Sequence, residues 1–147
     1  MYSAEQLARR NASPLTRAMM ITGTAQLLAI IISFYFVIRF LAAGEGYSGA
    51  QITFYLNLAL LWVNTIIGML WEKDMYGRYF MCRELFREDV GNLAALIAYH
   101  IYFIALWLTW SQSEIAVLML VANCVYLINF IQWISQFMKT SAQRRQG

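Results

Sequence analysis

A chain of 147 residues that is 61% hydrophobic and 13% charged, with a mean hydropathy of +0.52, does not build a soluble domain with a polar exterior. Its net charge of +3 comes from 11 basic and 8 acidic residues. The bases cluster in a way that reports membrane topology, which excludes reading the excess as a nucleic-acid footprint.

At the amino terminus, "SAEQLARR" places Ser3 and Gln6 at the spacing of a capping box and predicts a short helix on the membrane surface. Ser13 and Pro14 then suit the N-cap and first position of a longer helix. From there the charges divide the chain. Uncharged runs of 21 residues (18–38), 26 (46–71), 24 (90–113) and 24 (115–138) follow one another. A bilayer core needs about 20 helical residues to cross it, so four membrane helices are predicted near 18–43, 50–71, 90–110 and 115–138. The first run is too long for a signal-peptide core and no small-residue cleavage site follows it, so it is expected to remain as a span.

Between the first two spans, "GEGYSG" (44–49) matches a dinucleotide-binding fingerprint letter for letter, but no strand precedes it, and it reads as a flexible turn. "NAS" (11–13) matches a glycosylation sequon, but it is followed by proline and lies on the expected cytoplasmic side. Cys82 and Cys124 have no CxxC partner and suggest neither a disulfide framework nor a zinc site. The expectation is an all-α fold: an integral membrane four-helix bundle, one domain over 1–147, with antiparallel neighbours. Lys and Arg number three before the first span, four in 72–89 and three in the tail, against Arg39 alone in the first connection and none in "SQSE" (111–114). Both termini and the 72–89 segment should therefore face the cytoplasm.

Each span carries sparse polar residues at helical spacing: Thr22, Gln26 and Ser33; Asn57 and Asn64, continuing through Gly68 to Glu72; and Asn129, Gln132 and Gln136. Unsatisfied polar groups are costly in hydrocarbon, so these should face one another, either as interhelical hydrogen bonds or as the lining of a cavity for a partly polar ligand. His100, the only histidine, follows Asp89 by 11 residues, about 16 Å along a helix and close to three turns. Asp89, Leu96 and His100 should thus share a face. An intramembrane histidine is suited to relaying protons, binding a metal, coordinating the magnesium of a chlorophyll-type macrocycle, or simply donating to a backbone carbonyl.

Nine of the 19 charged residues lie within 72–89, acids and bases interleaved. Glu88 and Asp89 fit the start of a helix, where the macrodipole favours acids. Glu72 and Asp74 end a helix, where acids are disfavoured. Between them Met75, Tyr79, Cys82 and Phe86 fall at i, i+4, i+7 and i+11, a stripe that predicts an interfacial helix, although Gly77 interrupts it; a solvated loop is the alternative.

The stretch "GMLWEKDMYGRYFMCRELFREDV" followed by "LAALIAYHIYF" resembles the signature region of the bacteriochlorophyllide vinyl-group hydratases, in which W-E-K-acid-x-aromatic-G precedes F-x-E-D-V and then a histidine. "RRNASPLTR", "AQLLAIIISFYFVIRFLAAGEG" and "YLINFIQWI" are also similar, so the resemblance covers most of the chain. Leu15 and Ala25 depart from the family pattern, which has tryptophan and proline there. The resemblance implies a hydro-lyase of bacteriochlorophyll synthesis in the cytoplasmic or intracytoplasmic membrane. It would add water to the ring-A vinyl group of a magnesium chlorin, with no cofactor beyond the magnesium that the substrate carries.

On that reading Glu72 and Asp89 are the acid and base candidates, with Glu88 and Asp74 as alternates. His100 would ligate the substrate magnesium or act as base, and Lys73, Arg78 or Arg83 would pair with the chlorin propionate, with Asn64 among the polar substrate contacts. Partners would be the chlorophyllide-type chlorin, the lipid bilayer and other pigment-synthesis or photosynthetic membrane proteins. The rival is a non-enzymatic subunit that binds or scaffolds bacteriochlorophyll through His100. A transporter is disfavoured because no span has a charge near its middle.

Overall fold

Four helices long and apolar enough to cross a bilayer form the body of the protein, preceded by a short one. The structure, a computed structural model, describes residues 4–83 and 85–143, with side chains over 8–83 and 85–135. The helices are α1 (Ala4–Ala12), α2 (Pro14–Ala43), α3 (Tyr47–Tyr76), α4 (Phe86–Trp107) and α5 (Gln112–Gln143), and no strand occurs among the described residues. Helices α2 and α3 pack most closely, as do α4 and α5; α2 against α5 joins the two hairpins, and the α3/α4 seam is the lighter contact.

Local chemistry explains the breaks. Ser13 takes extended angles before Pro14 at the start of α2, as its sequence predicts, although its hydroxyl makes no cap bond. The proposed Ser3–Gln6 capping box lies outside the described residues, while the short helix itself is present as α1. The "GEGYSG" turn is built on glycine. Gly44 at φ 74° closes α2 through its N–H to Phe40 O, and Gly46 at φ 90° precedes α3, both left-handed conformations that L side chains disfavour. At "SQSE" the hydroxyl and amide of Ser111 donate to Glu114 Oε2 at 2.7 and 2.8 Å, and the Glu114 amide donates to Ser111 Oγ at 3.3 Å. This reciprocal capping box opens α5.

The segment between α3 and α4 is not the interfacial helix that the Met75–Tyr79–Cys82–Phe86 stripe predicts. Gly77 at φ 76° ends α3 with its N–H on Lys73 O, and Met81 at φ 57° turns the chain again. Among the described residues of 77–85 there is no helix. Cys82 is buried while Tyr79 is exposed, so the stripe does not form one face. Helix α4 also begins earlier than the predicted span, which brings Glu88 and Asp89 into its first turn.

The bundle's exterior is apolar. Ile21, Leu28, Ile31, Ile52 and Ile128 are all exposed, as suits a surface solvated by lipid tails. The interior is apolar too, with Ile30, Val37, Leu61 and Met119 buried, and adds aromatic and polar contacts. Phe54 stacks on Tyr99 at 4.6 Å and lies 4.7 Å from Tyr102. Asn123 donates to Ser33 Oγ (2.9 Å) and accepts from the Tyr99 hydroxyl (2.6 Å), tying α5 to α2 and α4. The predicted polar residues of the first two spans do meet: Thr22 donates to Asn64 Oδ1, Asn64 donates to Gln26 Oε1, and Gln26 donates to the Asn57 carbonyl at 3.2 Å. Of the third polar stripe, Gln132 is exposed and the Gln136 side chain lies outside the described residues.

Candidate functional site

A cavity of about 150 Å³ lies at the end of the bundle that carries the 72–89 charges, between α2, α3, α4 and α5. Its floor is formed by Asn64, Thr65 and Asn92, with Asn92 donating to Thr65 Oγ1 at 2.9 Å across the α3/α4 seam. Tyr126, Asn129, Phe130 and Trp133 of α5 form one wall, and Met19 and Gly23 of α2 with Gly68 of α3 add to the lining.

Two carboxyls from different helices meet at this cavity. Glu72 ends α3 and Asp89 begins α4, and their relative exposures are only 4% and 6%. Both stand just beyond the uncharged runs 46–71 and 90–113, at the charged ends of their helices. The two side chains are within hydrogen-bonding reach of each other. Glu72 Oε2 is buried without a protein donor, and two acceptors in contact can be joined only by a proton held between them.

Electrostatics place that proton. Burial lifts the Glu72 carboxyl above its usual range; hydrogen bonding from Cys82 opposes this, and the Asp89 charge and hydrogen bond reinforce it. Burial lifts Asp89 too, but its carboxylate is favoured by the Glu72 hydrogen bond and by the backbone N–H groups of Met81 and Cys82, the former at 2.7 Å. The surroundings therefore favour the protonated form at Glu72 more than at Asp89, whose carboxylate takes the loop N–H groups. The loop after α3 serves this site: the left-handed turn at Met81 aims its amide at Asp89. Asp89 thus takes hydrogen bonds from the loop, while Leu85 at the N-cap of α4 makes no side-chain cap bond.

The other residues proposed from the sequence divide clearly. Glu88 is buried and lines the cavity next to Asp89, and Asn64 lines its inner end. Asp74 does not: it pairs with Arg9 at 3.1 Å, outside the cavity. Lys73 is exposed, bonded to the Tyr79 hydroxyl and 4.3 Å from that ring's centre, while Arg78 and Arg83 are exposed on the loop. None of these three bases lines the cavity. His100 does not line it either. It is exposed on the outer wall, although the helix carries it close to the face of Asp89.

Arg10 was not foreseen. It lines the cavity at 5% exposure, whereas Arg9 beside it is exposed. Consecutive helical residues point about 100° apart, so nothing in "RR" distinguishes them. Thr16 holds the mouth together by donating to the Arg10 carbonyl (2.7 Å) and accepting from the Trp71 indole (2.9 Å). Gly91 was also missed. A Cβ there would lie 2.3 Å from Asn129 Oδ1, so only glycine lets Asn129 reach the cavity wall, where that oxygen is buried with no hydrogen-bond partner.

A family model described as 2-vinyl bacteriochlorophyllide hydratase matches residues 2–139. A protein named 2-vinyl bacteriochlorophyllide hydratase from Rhodobacter capsulatus is 33% identical over 134 residues, covering 91% of this chain and 78% of the relative. One of the same name from Cereibacter sphaeroides is 31% identical over 134 residues, covering 91% and 84%. No solved structure matches the chain.

Proposed function

Because this chain belongs to the 2-vinyl bacteriochlorophyllide hydratase family, we propose that it hydrates the ring-A vinyl group of a magnesium chlorin to a 1-hydroxyethyl group. The observation that carries the mechanism is the buried Glu72–Asp89 pair at the wall of a cavity, and it supports a reading in which the two carboxyls share one proton. Glu72 delivers that proton to the terminal vinyl carbon. The cation left at the inner carbon is conjugated with the macrocycle, and water adds there. Asp89, by now a free carboxylate, orients that water and takes its proton. The step leaves Glu72 ionised and Asp89 protonated, and transfer across their mutual contact restores the starting state. Water is the only reactant besides the chlorin, and no electrons are exchanged.

The polar lining fits a substrate that is mostly apolar with a few polar edges. Asn129 offers a buried acceptor, and Arg10 is the cation at the cavity that suits the propionate, a role that Lys73, Arg78 and Arg83 are too exposed to fill from where they stand. The family names favour the enzyme over a purely structural pigment subunit.

The test is turnover. Membranes containing this protein as the sole pigment-synthesis component, given a vinyl magnesium chlorophyllide in ¹⁸O-labelled water, should yield a product heavier by one labelled water. Unchanged substrate with the protein present in full amount rejects the assignment.

Orientation follows from the charge pattern: both termini and the carboxylate pair face the cytoplasm. Reporters fused within 111–114 should show that turn on the opposite side from reporters at the carboxyl end. A cytoplasmic signal at 111–114 overturns the topology.

A further inference from the structure

His100 stands apart from the cavity in a setting that asks for a ligand of its own. Its Nδ1 lies 2.7 Å from the Leu96 carbonyl, an acceptor, so Nδ1 carries the hydrogen and the Nε2 lone pair is left bare. The ring is exposed on the outer wall, with Trp62 edge-on at 5.7 Å and Phe103 at 6.1 Å, and both aromatics are exposed as well. About 16 Å along α4 from Asp89, this wall faces hydrocarbon, which has no donor to offer a nitrogen lone pair.

We propose that His100 is the axial ligand of a second magnesium chlorin, docked on the lipid-facing α3/α4 seam outside the reaction cavity. This rests on the hydratase reading above, which makes a magnesium chlorin the pigment at hand. The choice of occupant follows from coordination chemistry. A bare cation needs several ligands, and no group of three His, Cys, Asp or Glu collects among the described residues. A metal already held by four macrocycle nitrogens needs only one axial donor, and a neutral imidazole fixed through its other nitrogen supplies it. Trp62 and Phe103 give the flat pigment aromatic edges to lie against.

Distance separates this position from the reaction site. The vinyl group lies within one pyrrole ring and two carbons of the metal, well short of the roughly 16 Å that separates His100 from Asp89 along the helix. A chlorin held by His100 on the outer wall therefore lies outside the cavity that Glu72 lines. The position is a waiting site for a pigment that travels in the lipid phase beside the cavity.

Pigment binding without turnover tests this. Wild type, Glu72→Gln, His100→Ala and His100→Phe are placed in lipid nanodiscs and titrated with an already hydrated magnesium chlorophyllide and with its metal-free form, followed by absorption. Wild type and Glu72→Gln should both show a metal-dependent binding event with a shifted absorption band, and both His100 variants should lose it. Added imidazole should restore the band shift in His100→Ala, and affinity for the metal-free pigment should be the same in all four. Equal binding of both pigments by wild type and the His100 variants overturns the proposal. So does a band shift lost in Glu72→Gln but kept in His100→Ala. The readout needs no hydration, so a wild type that binds the metallated pigment through His100 yet does not hydrate a vinyl chlorin refutes the enzymatic reading alone.

Discussion

Glu72→Gln is expected to lower vinyl hydration by about 10²–10⁴-fold, the range that a positioned general acid contributes, with the protein accumulating normally. Glutamine keeps the length of the side chain and can still donate to Asp89, so the α3/α4 contact survives. What it loses is a transferable proton. The pH profile carries a second signature. Burial and the Asp89 charge raise Glu72, so it remains protonated to higher pH than an ordinary glutamic acid. Activity should therefore fall as pH rises through the Glu72 ionisation, because the acid form is consumed, and the residual rate of Glu72→Gln should lack that alkaline decline. Asp74→Asn serves as the comparison: its partner is Arg9 at the surface, so turnover should hardly change. Wild-type turnover by Glu72→Gln at normal abundance would remove Glu72 from the mechanism, and a matching loss in Asp74→Asn would place the acid elsewhere.

The largest effect on stability is expected at Asn123, far from the carboxylates. Asn123 is fully buried and bonds Ser33 on α2 and Tyr99 on α4 at once. Alanine there leaves two buried hydroxyls in an apolar interior without their shared partner, at about 1–3 kcal/mol each where they cannot find another. Individual hydrogen bonds within membrane bundles are often weaker, because freed groups find new partners, so a total of about 2–4 kcal/mol is expected. Cys124→Ala, one residue on and exposed, should be nearly neutral. Thermal unfolding in detergent checks this, since Asn123→Ala should melt well below wild type and Cys124→Ala close to it. An unchanged midpoint for Asn123→Ala would mean that the three helices are held by packing alone.

Much of this protein is legible along the chain because a bilayer is a one-dimensional filter. Four uncharged runs of sufficient length, separated by charges, determine four helices whatever their neighbours do. Glycines at 44 and 46 mark the first turn, and acids on either side of the loop place carboxyls at one end of the bundle. What the sequence does not determine is how each helix is rotated about its own axis and which neighbour it meets. Glu72 and Asp74 are two residues apart, yet packing turns one to Asp89 in the cavity and the other to Arg9 outside it. Arg9 and Arg10 divide in the same way. The spacing that puts His100 near the face of Asp89 is sound for an isolated helix. In the bundle the cavity ends at Asn92 and Thr65, and beyond them α3 and α4 close on each other through Phe54, Tyr99 and Tyr102, which leaves His100 to the lipid. The stripe through Tyr79 and Cys82 failed as a helix because two left-handed residues, Gly77 and Met81, fold the loop back so that its amides reach Asp89. Length and polarity along the chain determined the spans and the end at which the acids lie. Only helix rotation and loop closure, both set by tertiary contacts, decided which two of those acids face each other at the cavity.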